Sequence, residues 1–375
     1  MQILTADIGT GTQDVFVFDP ALDIENGYKL VMPSPTMIVH RRIKEATGRG
    51  EDVLLTGVMM GGGPSQWAAR DHVRAGYRLF ATESAARTFD DDLDYVRREM
   101  GVKIVSDDES DTLPDATHVV LKDFNMAALE AAFASFGVRL APDAIGVAVF
   151  DHGDSPPGYS DRQFRFDYLD RRIRELNRLS AFAYMADHVP PIMTRLRAVA
   201  ASYHGDAPLV VMDTAPAAVL GATFDPAVKA HPRSVFVNVG NFHTLAFRMG
   251  PGGIEGVFEH HTGEIDIAKL DWLITRLADA TLKHADVFDD MGHGALMYTT
   301  SPLPNPPIVV TGPRRVMMRN STHKPYFAVP FGDMMIAGCF GLLAALADVL
   351  PDAEMCHAIR QSLRGKAGRP PWEIE

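Results

Sequence analysis

The chain is poor in cysteine, with only Cys339 and Cys356 among its 375 residues. Two thiols are too few for a disulfide framework or for a cluster held by three or four thiolates, which excludes a conventional iron–sulfur radical enzyme. No apolar run approaches the roughly 20 residues that a membrane span requires. The first residues pass directly into a strand with no basic region and cleavage site, so the expected location is cytoplasmic. Positive charge is also scarce: the formal net charge is −12 and no Lys/Arg cluster carries interleaved aromatics, which argues against a nucleic-acid partner. No GxGxxG fingerprint follows a strand, so a dinucleotide is not the expected ligand.

What is present is a globular composition, 46% hydrophobic, with length for two core-bearing domains. Residues 3–19, ILTADIGTGTQDVFVFD, read as an apolar strand, an aspartate, a Gly/Thr turn and a second strand. A third strand (YKLVM, from Tyr28), a helix, VLLTG (53–57), a second helix after Pro64 and YRLFAT (77–82) follow. This order of strands and helices predicts a ribonuclease-H-like half-domain. Residues 117–121 and 145–150 read as further buried strands with an amphipathic helix between them, and a charged helix follows the Pro156–Pro157–Gly158 loop. From Ser234 the first pattern recurs as VFVNVG, HTLAFRM, GVFEHH, a helix over 267–285 and IVVTG, then an apolar helix beyond Gly332. The predicted class is α/β, two ribonuclease-H-like lobes around a cleft. Their predicted extents are 1–212 and 213–375, with the final helices packing back toward the first lobe.

The turn at 7–12, DIGTGT, carries the first chemical signal. Backbone N–H groups and hydroxyls of Gly9, Thr10, Gly11 and Thr12 can close around a phosphate, and Asp7 at the strand end can face the accompanying metal ion. An ordinary hairpin turn uses the same residues. In FDHGD (150–154), a strand end delivers Asp151 to orient water or accept a substrate proton, with His152 to assist; a polar loop capped by Asp and Gly is the alternative. The glycines of MGGGPS (60–65) permit a close approach to an anion at a helix N-terminus, or a tight turn. His260 and His261 point to opposite strand faces and read as structural rather than as a joint metal site. Residues 90–92, all Asp, read as a solvated helix start.

Five segments together resemble the actin, sugar-kinase and heat-shock chaperone ATPase superfamily. DIGTGT is similar to its first phosphate loop, whose aspartate holds magnesium; DTAPAAVLGA (213–222) to its first connecting helix; and NVGNFHT (238–244) to its second phosphate loop. HTGEID (261–266) resembles a stretch beside the nucleotide, although Thr262 also suits an N-cap. IVVTGPRR (308–315) resembles the adenosine loop, with GDMMIAGCFGLLAAL as the second connecting helix. More narrowly, the chain resembles a bacterial and archaeal family often labelled "putative pyruvate formate-lyase activating enzyme". The resemblance implies ATP and Mg2+ in the cleft. Asp7 would be the metal ligand and catalytic residue, with Asp151 as a second catalytic residue. Gly9, Thr10, Gly11, Thr12, Gly240, Asn241, His243, Thr244, Gly263, Glu264, Gly312 and Arg314 would contact the nucleotide. One departure stands out: Asn238 occupies a place usually acidic, and asparagine cannot act as a base. The expected function is an ATP-binding protein that hydrolyses ATP while activating a partner enzyme. A small-metabolite kinase and a non-hydrolysing nucleotide-dependent regulator are the alternatives.

Overall fold

In the computed structural model, which describes residues 1–366 and 368–374, the first hairpin forms where the Gly/Thr turn predicts it. Strand β1 (Ile3–Ile8) pairs antiparallel with β2 (Thr12–Phe18), and β2 with β3 (Tyr28–Pro33). The next strands depart from the expected order. VLLTG and YRLFAT do not join this sheet. They supply β4 (Val53–Gly57) and β5 (Leu79–Thr82) of a separate parallel sheet with β6 (Lys103–Val105) and β7 (Thr117–Leu121), ordered β6-β5-β4-β7. Parallel partners are joined through long crossovers, and an apolar run suits a buried position in either sheet, so local sequence does not choose between them.

The first sheet is completed instead by β8 (Ala144–Val149), β9 (Ala183–Met185) and β10 (Leu209–Asp213), in the order β3-β2-β1-β8-β10-β9. The second comprises β11 (Ser234–Val239), β12 (His243–Gly250), β13 (Gly253–His261), β14 (Gly294–Met297), β15 (Ile308–Thr311) and β16 (Tyr326–Phe327), in the order β14-β13-β12-β11-β15-β16. Apart from the edge strands β9 and β14, both sheets follow one plan: third, second, first, fourth, fifth. The first three strands are antiparallel and the last two parallel to the first. The ribonuclease-H-like motif therefore occurs twice. The small parallel sheet is an insertion between β3 and β8.

Helices cover both faces of the first sheet, which explains why its central strands β1, β8 and β10 are buried along their whole length. On one face Ile3, Phe16, Phe18, Ala144 and Met212 pack with Phe340, Leu342, Leu343 and Leu346 of the helix Ala337–Val349. On the other, Leu4, Ala6, Val147 and Val211 pack with Phe166 and Leu169 of the helix Asp161–Glu175 and Leu196 of Thr194–Ser202. Ala337–Val349 crosses the helix Thr214–Ala222 at very close range. A Cβ on Gly221 would lie 1.7 Å from the Ala337 carbonyl oxygen, and one on Gly341 would lie 1.8 Å from that of Ala217. Gly221→Ala is accordingly expected to cost about 1–3 kcal/mol or more through overpacking. An unchanged midpoint in urea unfolding would show that the two helices can part. Among the described residues no helix is long and apolar enough to cross a membrane.

Candidate functional site

The two lobes present matching turns to each other. Gly9 donates its N–H to the Thr12 carbonyl at 2.9 Å, and Gly240 donates to the His243 carbonyl at 2.9 Å. Asp7 stands two residues before the first of these glycines, and Asn238 two before the second. Ser34 fastens the first turn: its N–H donates to the Gly11 carbonyl at 3.1 Å and its hydroxyl to that of Thr10 at 2.5 Å. Gly9 and Thr10 line one wall of a cleft, Gly240, Asn241 and His243 the other, and Gly312 its far end. The turns touch, since a Cβ on Gly11 would fall 2.5 Å from Asn241 Nδ2. The space left between them is ≈ 100 Å3, against roughly 300–1,000 Å3 for typical small-molecule sites.

At the floor of the cleft lies a carboxylate pair. The hairpin register sets Asp7 directly opposite Asp14, whereas Asn238 faces Leu245 at the equivalent place in the second lobe. Thr214, the first residue of its helix, donates its hydroxyl to Asp7 Oδ1 at 2.5 Å. Gly338 gives the carboxylate room, as a Cβ there would meet Asp7 Oδ2 at 1.8 Å. Asp14 Oδ1 is buried with no hydrogen-bond partner among the described residues. Burial pushes Asp7 up to about 7; burial and then the Asp7 charge push Asp14 up to about 8. Two crowded carboxylates with an unpartnered oxygen form a hard, anionic donor set that fits a magnesium ion. Sequence reasoning passed over Asp14, which follows the polar Thr12 and Gln13 at the start of its strand and so carries little signal of its own.

Other site candidates lie apart from this cleft. The hydroxyl of Thr244 is buried against that of Thr262 at 2.9 Å. Gly263 and Glu264 sit in an exposed 3-10 turn, and Arg314 is exposed, with its backbone N–H on the Val239 carbonyl at 3.0 Å. Thr12 contributes its carbonyl to the first turn. Asp151 is buried, and its two oxygens accept from Gly153 N and Leu196 N, each at 2.9 Å, so this carboxylate ties a loop to a helix.

A larger cleft of ≈ 1320 Å3 adjoins the first and shares Thr10, Phe150, Arg195, Phe242 and His243 with it. Gly61, Gly62, Gly63 and the acidic residues Asp90, Asp91 and Asp92 form part of its wall. Arg195 pairs with Asp123 at 2.7 and 3.1 Å and donates to the Phe150 carbonyl at 3.0 Å. Behind this wall the fully buried Arg165 joins the lobes. It donates to Asp213 Oδ2 at 2.5 Å and the Asp151 carbonyl at 2.9 Å in the first, and to Glu259 Oε2 at 3.0 Å in the second. His152 turns away from Asp151 toward His243 and His293. Burial and neighbouring positive charge hold His152 down to about 3 and His243 well below the ordinary imidazole value.

The model of the family described as "Putative pyruvate format-lyase activating enzyme (DUF1786)" matches residues 60–317, well over half of the chain. The chain belongs to this family. No curated protein matches the sequence. Among solved structures, the ethanolamine utilization protein EutJ from Carboxydothermus hydrogenoformans is 10% identical, with 92% of this chain and 89% of that chain covered and a TM-score of 0.30. The ROK hexokinase from Thermus thermophilus is 14% identical, with 68% of this chain covered and a TM-score of 0.24; the match spans 47% of the hexokinase. An exopolyphosphatase-like protein is 10% identical over 83% of this chain and 65% of its own, with a TM-score of 0.23. These overlaps are coarse, and the fold rests on the duplicated strand order.

Proposed function

We propose that the protein binds ATP as its magnesium complex between the two hairpin turns, and that this binding opens and closes the lobes to act on a partner enzyme. The observation that carries the reading is the matched pair of glycine turns, one per lobe, facing each other over the Asp7–Asp14 pair. Asp7 and Asp14 would hold the ion, and the backbone amides of the Gly9 and Gly240 turns would hold phosphates. The ion would neutralise phosphate charge there. The narrow gap between Gly11 and Asn241 requires the lobes to part before a nucleotide enters, which links occupancy to lobe position. The family's description adds the activation of a lyase. Cys339 and Cys356 are both buried and are too few to hold an iron–sulfur cluster, so activation would be driven by the nucleotide cycle.

Calorimetric titration tests the reading: ATP with magnesium is expected to bind, while NAD and S-adenosylmethionine do not. Binding of a dinucleotide without ATP would overturn it. Turnover is expected to be slow. Asn238 lines the cleft opposite Asp7 and supplies no base, and both oxygens of Asp151 are engaged by backbone amides. Asn238→Asp is expected to raise ATP hydrolysis by adding a carboxylate near the attacking water. Fast hydrolysis in the parent, lost in Asp151→Asn and indifferent to Asn238→Asp, would instead favour a kinase with Asp151 as its base.

A further inference from the structure

We propose that His152, His243 and His293 form a site for a divalent transition-metal ion of the zinc class, separate from the magnesium position at Asp7. The three residues come from distant parts of the chain: the loop after β8, the start of β12 and the residue before β14. One ring nitrogen from each lies within 4.8 Å of the other two. His152 Nε2 and His293 Nε2 are 3.2 Å apart. Two imidazoles on a tetrahedral ion with bonds of about 2.0–2.1 Å would place their nitrogens roughly 3.3–3.4 Å apart, so this edge is already at coordination distance.

The surroundings hold the rings in place. Phe150 stacks on His243 at 4.1 Å between centroids and meets His152 edge-on at 4.7 Å. Behind His293, its Nδ1 and Glu259 Oε1 lie 3.6 Å apart, both residues fully buried and neither atom with a hydrogen-bond partner among the described residues. A ligating histidine that turns its second nitrogen toward a carboxylate is the usual support of such a site, and a small movement would complete the bond. Glu259 is anchored by its other oxygen, Oε2, on the Arg165 guanidinium, so Oε1 is held facing His293. Nitrogen donors without thiolate select zinc, cobalt, nickel, copper or iron over magnesium or calcium.

Three protein ligands leave a position free. All three rings, with His261 at the rim 4.6 Å from His293, line the larger cleft, so a water or an oxygen-bearing ligand in that cleft would complete the coordination. The site bridges the two lobes and would respond to their separation.

The test needs neither nucleotide nor magnesium, so its outcome is independent of the ATP reading. Chelator-stripped protein titrated with Zn2+ is expected to take up about one equivalent with Kd below about 1 μM, and Co2+ is expected to give the intense visible absorption of a four- or five-coordinate ion. His152→Gln and His243→Gln should each weaken Zn2+ binding at least about a hundredfold with the thermal transition retained, Glu259→Gln about 10–100-fold, and Asp7→Asn not at all. If His243→Gln fails to fold, His152→Gln, on its loop, decides alone. Absence of stoichiometric Zn2+ and Co2+ binding, or binding unchanged in folded His152→Gln protein, would overturn the proposal.

Discussion

Asp14→Asn is expected to melt at a higher temperature than the parent near pH 8 without magnesium, and to lose the stabilisation that magnesium and ATP confer. The sign follows from the raised carboxyls. Asp7 near 7 and Asp14 near 8 stand above the 3.8 of a free carboxyl, so the unfolded chain releases these protons first as pH rises. Their contribution to the metal-free fold is complete below about pH 4 and is lost as pH climbs through 7 and 8. Raising a carboxyl's pKa by one is worth about 1.4 kcal/mol, so removing one carboxyl should raise the midpoint by several degrees near pH 8 and hardly at all below about pH 4. Millimolar magnesium should then stabilise the parent at the higher pH and leave the variant unchanged. ATP-Mg affinity should fall in Asp14→Asn and Asp7→Asn by at least about tenfold, the equivalent of about 1.4 kcal/mol. Thermal melts at two pH values with and without magnesium, and calorimetry with ATP, read all of these. A variant that melts like the parent under every condition would show that the pair neither repels nor binds a cation.

Arg165→Met should be the most damaging single change to stability. Its guanidinium is fully buried, holds Asp213 and Glu259 from the two lobes, and lies 4.4 Å from the Phe150 ring centre. Removal strands two buried carboxylates, and breaking such an arrangement from one side costs about 3–5 kcal/mol. The triple variant Arg165→Met, Asp213→Asn, Glu259→Gln should recover much of that loss, because it removes the stranded charges as well. Urea unfolding of the parent, the single variant and the triple variant checks this. A loss below about 1 kcal/mol for Arg165→Met would mean that water reaches the cluster. A triple variant no better than the single one would mean that the guanidinium acts through packing rather than charge.

Local chemistry in the sequence marked the first hairpin turn at Asp7, Gly9 and Thr10, and the superfamily resemblance pointed to Gly240, Asn241, His243 and Gly312; all of these line one narrow cleft. Each turn's backbone closure is settled within about four residues, so small turn residues after an apolar strand are a direct signal. Continuous apolar strands likewise announced a sheet covered on both faces. What tertiary structure alone decided depends on partners far along the chain. Val53–Gly57 and Leu79–Thr82 read correctly as strands, but their sheet was chosen by crossovers that bring Lys103–Val105 and Thr117–Leu121 beside them. Asp14 acquired its meaning from lying opposite Asp7, whose carboxylate is in turn accommodated by Gly338 near the far end of the chain. Asp151 read as either a reactive carboxylate or the cap of a polar loop, and only the packing of helix Thr194–Ser202 brings Leu196 N to it. His152, His243 and His293 share no spacing that a sequence can show. They meet because two lobes with the same strand order face each other, and a cluster built across that interface exists only once both lobes are folded.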